Sequence, residues 1–284
     1  MVHPSGAFTT PTRRRGLLAG IRALAQAGFE VRWDAQRMDD VWRGYYAGSD
    51  DQRAVELIDA FHEPGVDIIW CARGGSGAAR IVETVLDEID GPCRWLVGFS
   101  DNTTLISGLI HRLGWVACHG PTVSLLGSQR RALADMLHLA RSDQWRLDFE
   151  AQAEGHQGPL RGPLIGGNLT VLASLVGTDL LPDLPDAIWV LEEVAEPRYR
   201  LDRTLWQLRS HLEHAAGVWL GDLGLGDGRD DLLELAQREA LIADVAPVPV
   251  ALGAPAAHRG EDLAVIPMGW PGTLDPQAGV WISD

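Results

Sequence analysis

The chain contains no lysine; apart from histidine, all 24 of its basic residues are arginine. That absence excludes Schiff-base chemistry, a phosphate loop built on lysine, and a lysine general base. Cysteine is almost as scarce. Cys71, Cys93 and Cys118 lie far apart in apolar stretches with no CxxC spacing. An odd number in that setting points to reduced thiols inside a cell rather than a disulfide framework. Positive charge is outnumbered, 24 against 39, leaving a formal charge of −15. Nucleic acid and anionic membranes need a basic face, so neither is an expected partner. Nothing approaches the roughly 18 apolar residues of a membrane span. Met1-Val2-His3-Pro4-Ser5-Gly6 lacks the apolar core of a signal peptide. The expectation is a cytoplasmic protein. His211 and His214 stand three apart, but no carboxylate or thiol motif completes a metal set. Neither a metal nor a cofactor is expected.

What is present is size and pattern. The 284 residues, 46% of them hydrophobic, can bury roughly three quarters of the unfolded surface and suggest about two domains. Leu17, Leu18, Ile21, Leu24 and Ala25 recur at helical spacing, with Gly28 as a stop. Phe29 to Trp33 reads as a short strand, and Asp50 and Asp51 open a helix that Pro64 ends. Strands over Val66 to Cys71, Trp95 to Phe99 and Trp115 to His119 then alternate with helices over Ile81 to Ile89 and Leu105 to Leu113. That alternation predicts an α/β fold built on a parallel sheet. Ser142 to Pro163 is polar and separates two apolar regions, so the domains are expected at 1–150 and 160–284. The second half reads as strands at Ile188 to Leu191 and Val218 to Leu220, with helices at Leu201 to Leu212 and near Asp231 to Ile242. Its proline-rich end suits short strands and turns.

Two strand-to-helix turns carry candidate chemistry. Arg73-Gly74-Gly75-Ser76-Gly77-Ala78-Ala79-Arg80 follows the strand ending at Cys71, and backbone amides at such a turn bind anions. It is not a dinucleotide fingerprint, because Arg80 stands where the third glycine should be. The alternatives are a plain tight turn or a set of free amides for an oxyanion. In Gly98-Phe99-Ser100-Asp101-Asn102-Thr103 a serine sits where strand becomes helix. It is either a nucleophile on an elbow or, with Asp101, a helix cap. A serine nucleophile needs a histidine and a carboxylate to orient it. His119 ends a strand before Gly120-Pro121, and His258 sits on a loop of small residues, Ala254 to Gly260. Glu192 and Glu193 close an apolar strand, where only one of two neighbours can point inward.

These segments together resemble the LD-carboxypeptidase family, serine peptidases that include the microcin C self-immunity hydrolase. The resemblance runs through Pro4-Ser5-Gly6, Cys71 to Gly77, Gly98 to Thr103, His119-Gly120-Pro121 and Gly166-Gly167-Asn168-Leu169. It continues through Leu191 to Arg203 and the His258 loop with Ile266-Pro267-Met268-Gly269, nearly the whole chain in the family's order. It implies an N-terminal α/β domain and a C-terminal α/β domain that swivels against it, with a triad crossing between them. The nucleophile falls on Ser100, the glutamate on Glu192 and the histidine on His258. The oxyanion donors fall on the amides of Asp101 and Gly75, and Ser76 and Asn168 become candidate substrate contacts. Three departures stand out: the strand before Pro4 shrinks to Met1-Val2-His3, Ser76 replaces a common tyrosine, and Ala256-Ala257 replaces a common Phe-Gly pair.

The implied activity is a carboxypeptidase that cuts an L,D bond to release a terminal D-amino acid from a cell-wall (murein) tetrapeptide. Its partner is a small peptide, with room for a homodimer. Without lysine, an arginine or backbone amides must hold the substrate's carboxylate. The alternative is an amidase for microcin C-like peptidyl-nucleotides, with Trp270 or Trp115 as the platform for a base. A non-catalytic binding module and a nicotinamide oxidoreductase are the readings from other classes.

Overall fold

The structure is a computed structural model and describes residues 1–142, 144–224, 240–258 and 263–284. Helix α1 (Pro11–Gln26) starts where the Thr10 hydroxyl accepts from the Arg13 amide and Pro11 takes a first-turn position that needs no N–H. Helix α2 (Asp50–His62) opens on a reciprocal Ser49–Gln52 capping box with Asp50 and Asp51 in its first turn. Strand β1 (Ile68–Trp70), helix α3 (Val82–Glu88), strand β2 (Trp95–Gly98), helix α4 (Thr103–Leu113) and strand β3 (Ala117–His119) follow. The chain continues through α5 (Arg130–Leu139), β4 (Arg146–Asp148), β5 (Leu160–Asn168), α6 (Leu169–Ser174), β6 (Ile188–Glu192), α7 (Arg198–Leu212) and β7 (Gly217–Leu220). It closes with β8 (Val250–Leu252), β9 (Ile266–Met268), β10 (Pro271–Asp275) and β11 (Val280–Ser283).

Two sheets result, and the protein has a two-domain mixed α/β fold. The first runs β1-β2-β3-β9, with β1 to β3 parallel and β9 antiparallel to β3. The second runs β4-β11-β10-β5-β6-β7-β8, parallel from β5 to β8 and antiparallel across β4, β11 and β10. Sequence position and sheet membership part company at β9, which comes from the second half of the chain yet completes the first sheet. The connection from β8 to β9 therefore passes from one sheet to the other. Helix α4 lies between them: Thr103 to Ile110 are all buried, as expected of a helix that is apolar nearly all round. Among the described residues no helix is long and apolar enough to cross a membrane.

Several expectations change. Phe29 to Trp33 forms no strand; the backbone contact it makes with the start of the chain is the Met1 amino group donating to the Arg32 carbonyl at 2.8 Å. The polar stretch 142–163 is not only a linker: it holds β4 and the start of β5, which the antiparallel β10–β11 pair recruits into the second sheet. The helix expected near Asp231 to Ile242 lies largely outside the described residues. The short start of the chain still pairs, since the Val2 amide donates to Trp70 O (3.1 Å) and Val2 O accepts from Ala72 (2.8 Å).

Beside that pairing, Glu56 on α2 accepts from the His3 amide (2.9 Å) and Arg37 (3.1 Å) and bonds the His3 ring (2.9 Å). Burial alone would raise its carboxyl, but the His3 and Arg37 contacts outweigh it and hold the group at about 2. Because the folded value lies below the ordinary 4.5, its contribution is complete above that pH and is lost as pH falls towards 2. The drop is worth about 3 kcal/mol. Urea unfolding measured from about pH 6 down to pH 3 should show the wild type losing stability more steeply than Glu56→Gln. Parallel acid limbs would contradict this.

Candidate active site

Strand β2 ends at Gly98, Phe99 is extended, and Ser100 turns back with φ of +59° before α4 begins. A serine at positive φ is strained, and the neighbours hold it there. The Asn102 amide group donates to Phe99 O (3.1 Å), while its carbonyl oxygen accepts from Ser5 (3.1 Å). Neither Ser100 nor Asp101 caps the helix, so the cap reading fails. The Asp101 carboxylate reaches instead across to the glycine turn and accepts from the Ala78 amide at 2.9 Å.

That turn needs glycine for two reasons. Gly75 and Gly77 have φ of +123° and +126°, which side chains avoid. Gly74 is a matter of space: a Cβ there would sit 3.1 Å from the Ser100 Cβ and 3.3 Å from its Oγ. The buried Arg53 guanidinium fastens the turn from behind, donating to Gly77 O (2.9 Å) and Pro4 O (2.5 Å) and pairing with Asp50. Burial pushes the Asp101 carboxyl up, and bonds from Ser5 and Ala78 together with the Arg53 charge offset part of that. The backbone amides of Asp101 and Gly75 have no acceptor among the described residues. Gly75 and Ser76 are exposed.

The second sheet brings a carboxylate and an imidazole to this place. Glu192, the last residue of β6, is 0% exposed, and its Oε2 lies 2.5 Å from His258 Nδ1. Burial pushes the Glu192 carboxyl up, and the His258 contact counters only part of it. His258 stands on the β8–β9 connection with its ring centroid 4.7 Å from that of Phe99, the residue before Ser100. Its Nε2 has no hydrogen-bond partner among the described residues. Glu193 has a different occupation. Its two oxygens accept from Asn168 (3.0 Å), Val194 (2.8 Å) and Thr170 (2.8 Å), which ties β6 to the start of α6.

Asn168 was expected to touch substrate, and the structure gives it other work. It is 4% exposed. Its carbonyl oxygen caps α6 by accepting from Val171 (3.1 Å), its amide holds Glu193, and its backbone N–H donates to Thr103 at the start of α4 (3.1 Å). Trp115 and Trp270 are likewise misplaced for a base platform. Trp270 stacks on Trp95 with centroids 5.5 Å apart, at the opposite end of β2 from Ser100. That separation is about 16 Å at strand rise. Trp115, just before β3, packs on Phe61 (5.8 Å). His119 packs edge-on against Phe99 with ring centroids 6.2 Å apart, and burial together with the His258 charge lowers it to about 3. Arg53 had no signal as a site residue, and the packing of Gly74 on Ser100 and of Phe99 on His258 shows only in the fold.

A serine at a strained strand-to-helix turn, a glycine turn packed against it and a glutamate-bound imidazole are the kinds of group that serine-type hydrolases use. Residues 1–120 match the LD-carboxypeptidase N-terminal domain and residues 161–274 the LD-carboxypeptidase C-terminal domain. The murein tetrapeptide carboxypeptidase of Pseudomonas aeruginosa is 36% identical over 246 residues, 81% of this chain and 76% of that protein. The probable murein peptide carboxypeptidase of Bacillus subtilis is 31% identical over 292 residues, covering 92% and 89%. Among solved structures, the muramoyltetrapeptide carboxypeptidase of Oxalobacter formigenes superposes with a TM-score of 0.82 at 24% identity, covering 99% of this chain and 96% of that one. The microcin C7 self-immunity protein MccF superposes at 0.85 with 18% identity, covering 99% and 94%. The chain belongs to the LD-carboxypeptidase family and is a serine-type carboxypeptidase.

Gly74→Ala tests the packing of the two turns. Its φ suits alanine, so the fold should survive while the added methyl crowds Ser100. Turnover is expected to fall about tenfold or more with little change in thermal midpoint. Unchanged turnover would contradict the close approach.

Proposed function

We propose that this carboxypeptidase releases the terminal D-amino acid of a murein tetrapeptide by cutting an L,D bond through an acyl-enzyme on Ser100. The observation that carries the reading is the 2.5 Å contact between buried Glu192 and His258, with the ring's other nitrogen unpartnered among the described residues and the ring packed on the residue before Ser100. The names of the Pseudomonas aeruginosa and Bacillus subtilis relatives support the substrate class.

His258 Nε2 accepts the Ser100 proton as Oγ bonds to the carbonyl carbon before the terminal residue. Glu192 keeps the proton on Nδ1 and stabilises the imidazolium. The tetrahedral oxyanion is held by the amides of Asp101 and Gly75, each such donor typically worth about 3 kcal/mol. The C–N bond then breaks, His258 returns its proton to the departing amine, and the D-amino acid leaves. Water repeats the cycle: His258 takes one of its protons, hydroxide adds to the acyl carbon, and Ser100 recovers its hydrogen as the carboxylic acid departs. A peptidyl-nucleotide amidase would use the same steps, but neither Trp115 nor Trp270 is near enough to hold its base.

Mass spectrometry of products from murein tetrapeptide and a peptidyl-nucleotide, assayed side by side, tests the reading. The tetrapeptide should lose one D-amino acid and the nucleotide should remain intact. Ser100→Ala should abolish turnover, and Glu192→Gln should lower kcat about 10³- to 10⁴-fold with KM little changed. Full turnover by Ser100→Ala, or preference for the nucleotide, would overturn it.

A further inference from the structure

Arginines that meet the glycine turn differ in one respect. Arg53 and Arg80 both pair with Asp50. Arg73 is half-buried and has no carboxylate partner among the described residues, although the chain holds 39 acidic residues against 24 arginines. Among the described residues its guanidinium makes one hydrogen bond, from Nη1 to Ala7 O at 3.0 Å. The other guanidinium N–H groups have no acceptor among those residues. The group lies against the catalytic turn. A side chain at Gly6 would overlap its Nη1, and a Cβ on exposed Gly75 would lie 3.4 Å from it. Gly74, which abuts Ser100, is the next residue. Burial, followed by the charge of Arg13, lowers the Arg73 pKa. Arg13 bonds Thr9 (3.0 Å) and also lacks a carboxylate among the described residues. An anion docking here would therefore relieve both a desolvation cost and a repulsion between cations.

We propose that Arg73 binds the terminal carboxylate of the peptide, through the free side of its guanidinium, and so makes the enzyme specific for a free C-terminus. The assignment rests on the carboxypeptidase reading above. In such a peptide the terminal carboxylate carbon lies about 3 to 4 Å from the attacked carbonyl carbon, so the group that binds it must belong to the turns around Ser100, as Arg73 does. A planar fork that donates two parallel hydrogen bonds suits a carboxylate better than a point charge would. With no lysine in the chain, and Arg53 and Arg80 already paired with Asp50, Arg73 is, among the described arginines of this turn (Arg73 and Arg80) and the Arg53 behind it, the one without a carboxylate partner.

The test compares murein tetrapeptide with the same peptide amidated at its C-terminus, in the full-length wild type, Arg73→Gln and Arg73→Lys. Wild type should prefer the acid over the amide by about 30-fold or more in kcat/KM. Arg73→Gln should shrink that preference to less than about threefold, by losing activity on the acid, and Arg73→Lys should fall between. Thermal midpoints check that the variants fold, and the wild-type preference stands independently of any variant. Equal cleavage of acid and amide by wild type, or an Arg73→Gln loss equal on both, would overturn the assignment alone. Cleavage of neither peptide by wild type would overturn the carboxypeptidase reading and the assignment with it.

Discussion

The contact between Glu192 and His258 is the interaction that the other parts of the site are built around. A carboxylate with no exposed surface is costly, and burial pushes its proton affinity up. The 2.5 Å bond to His258 offsets part of that cost. Because the two groups arrive from different elements, the contact also fixes how those elements meet. Glu192 closes β6, while His258 rides on the connection that leaves β8 in the second sheet and enters β9 in the first. One residue of the first sheet's elbow, Phe99, then packs on the imidazole. A bond between two side chains thus depends on a chain crossing between two sheets.

The surrounding residues make that geometry stiff. Glu193 and Asn168 share a hydrogen bond and each caps or binds the start of α6, which holds the carboxyl ends of β5 and β6 level in register. The Asn168 amide donates to Thr103 at the first turn of α4, so the helix behind Ser100 is tied directly to the strand beside Glu192. On the other side, Asp101 and Arg53 fasten the glycine turn to the elbow. The Glu193 carboxylate and Asn168 are the well-satisfied members of this buried polar set. Among the described residues, Glu192 Oε1, Arg53 Nε and His258 Nε2 have no hydrogen-bond partner.

Local chemistry was legible in the sequence wherever it depends on one turn. Ser100 could be read from strand, bend and helix in succession, and His258 from a loop of small residues at a strand end. Gly75 and Gly77 could be read from a glycine-rich turn. Choices set by contacts distant in sequence could not. Nothing in Leu191-Glu192-Glu193 says which glutamate meets the imidazole, because both are buried and the difference lies in α6 and β8. Asn168 looked like a polar group free for substrate, yet its partners are backbone and a glutamate 25 residues on. β9 was equally hidden: Ile266-Pro267-Met268 is too short to announce its sheet, and the β3 edge decides it. Phe29 to Trp33 alternates as a strand should but has no ladder to join. The absence of lysine was the most portable clue, since it left arginine and backbone amides as the only means of holding a carboxylate.

The central claim is that Ser100 is activated by an imidazole which Glu192 orients from the other sheet. A fluorophosphonate, which phosphonylates activated serines with loss of fluoride, tests it directly, with the adduct mapped by peptide mass spectrometry and its rate followed in wild type and His258→Ala. A single adduct on Ser100 is expected, with a rate falling about 10³-fold or more in the variant. An adduct on a different serine, or equal rates in the two proteins, would contradict it.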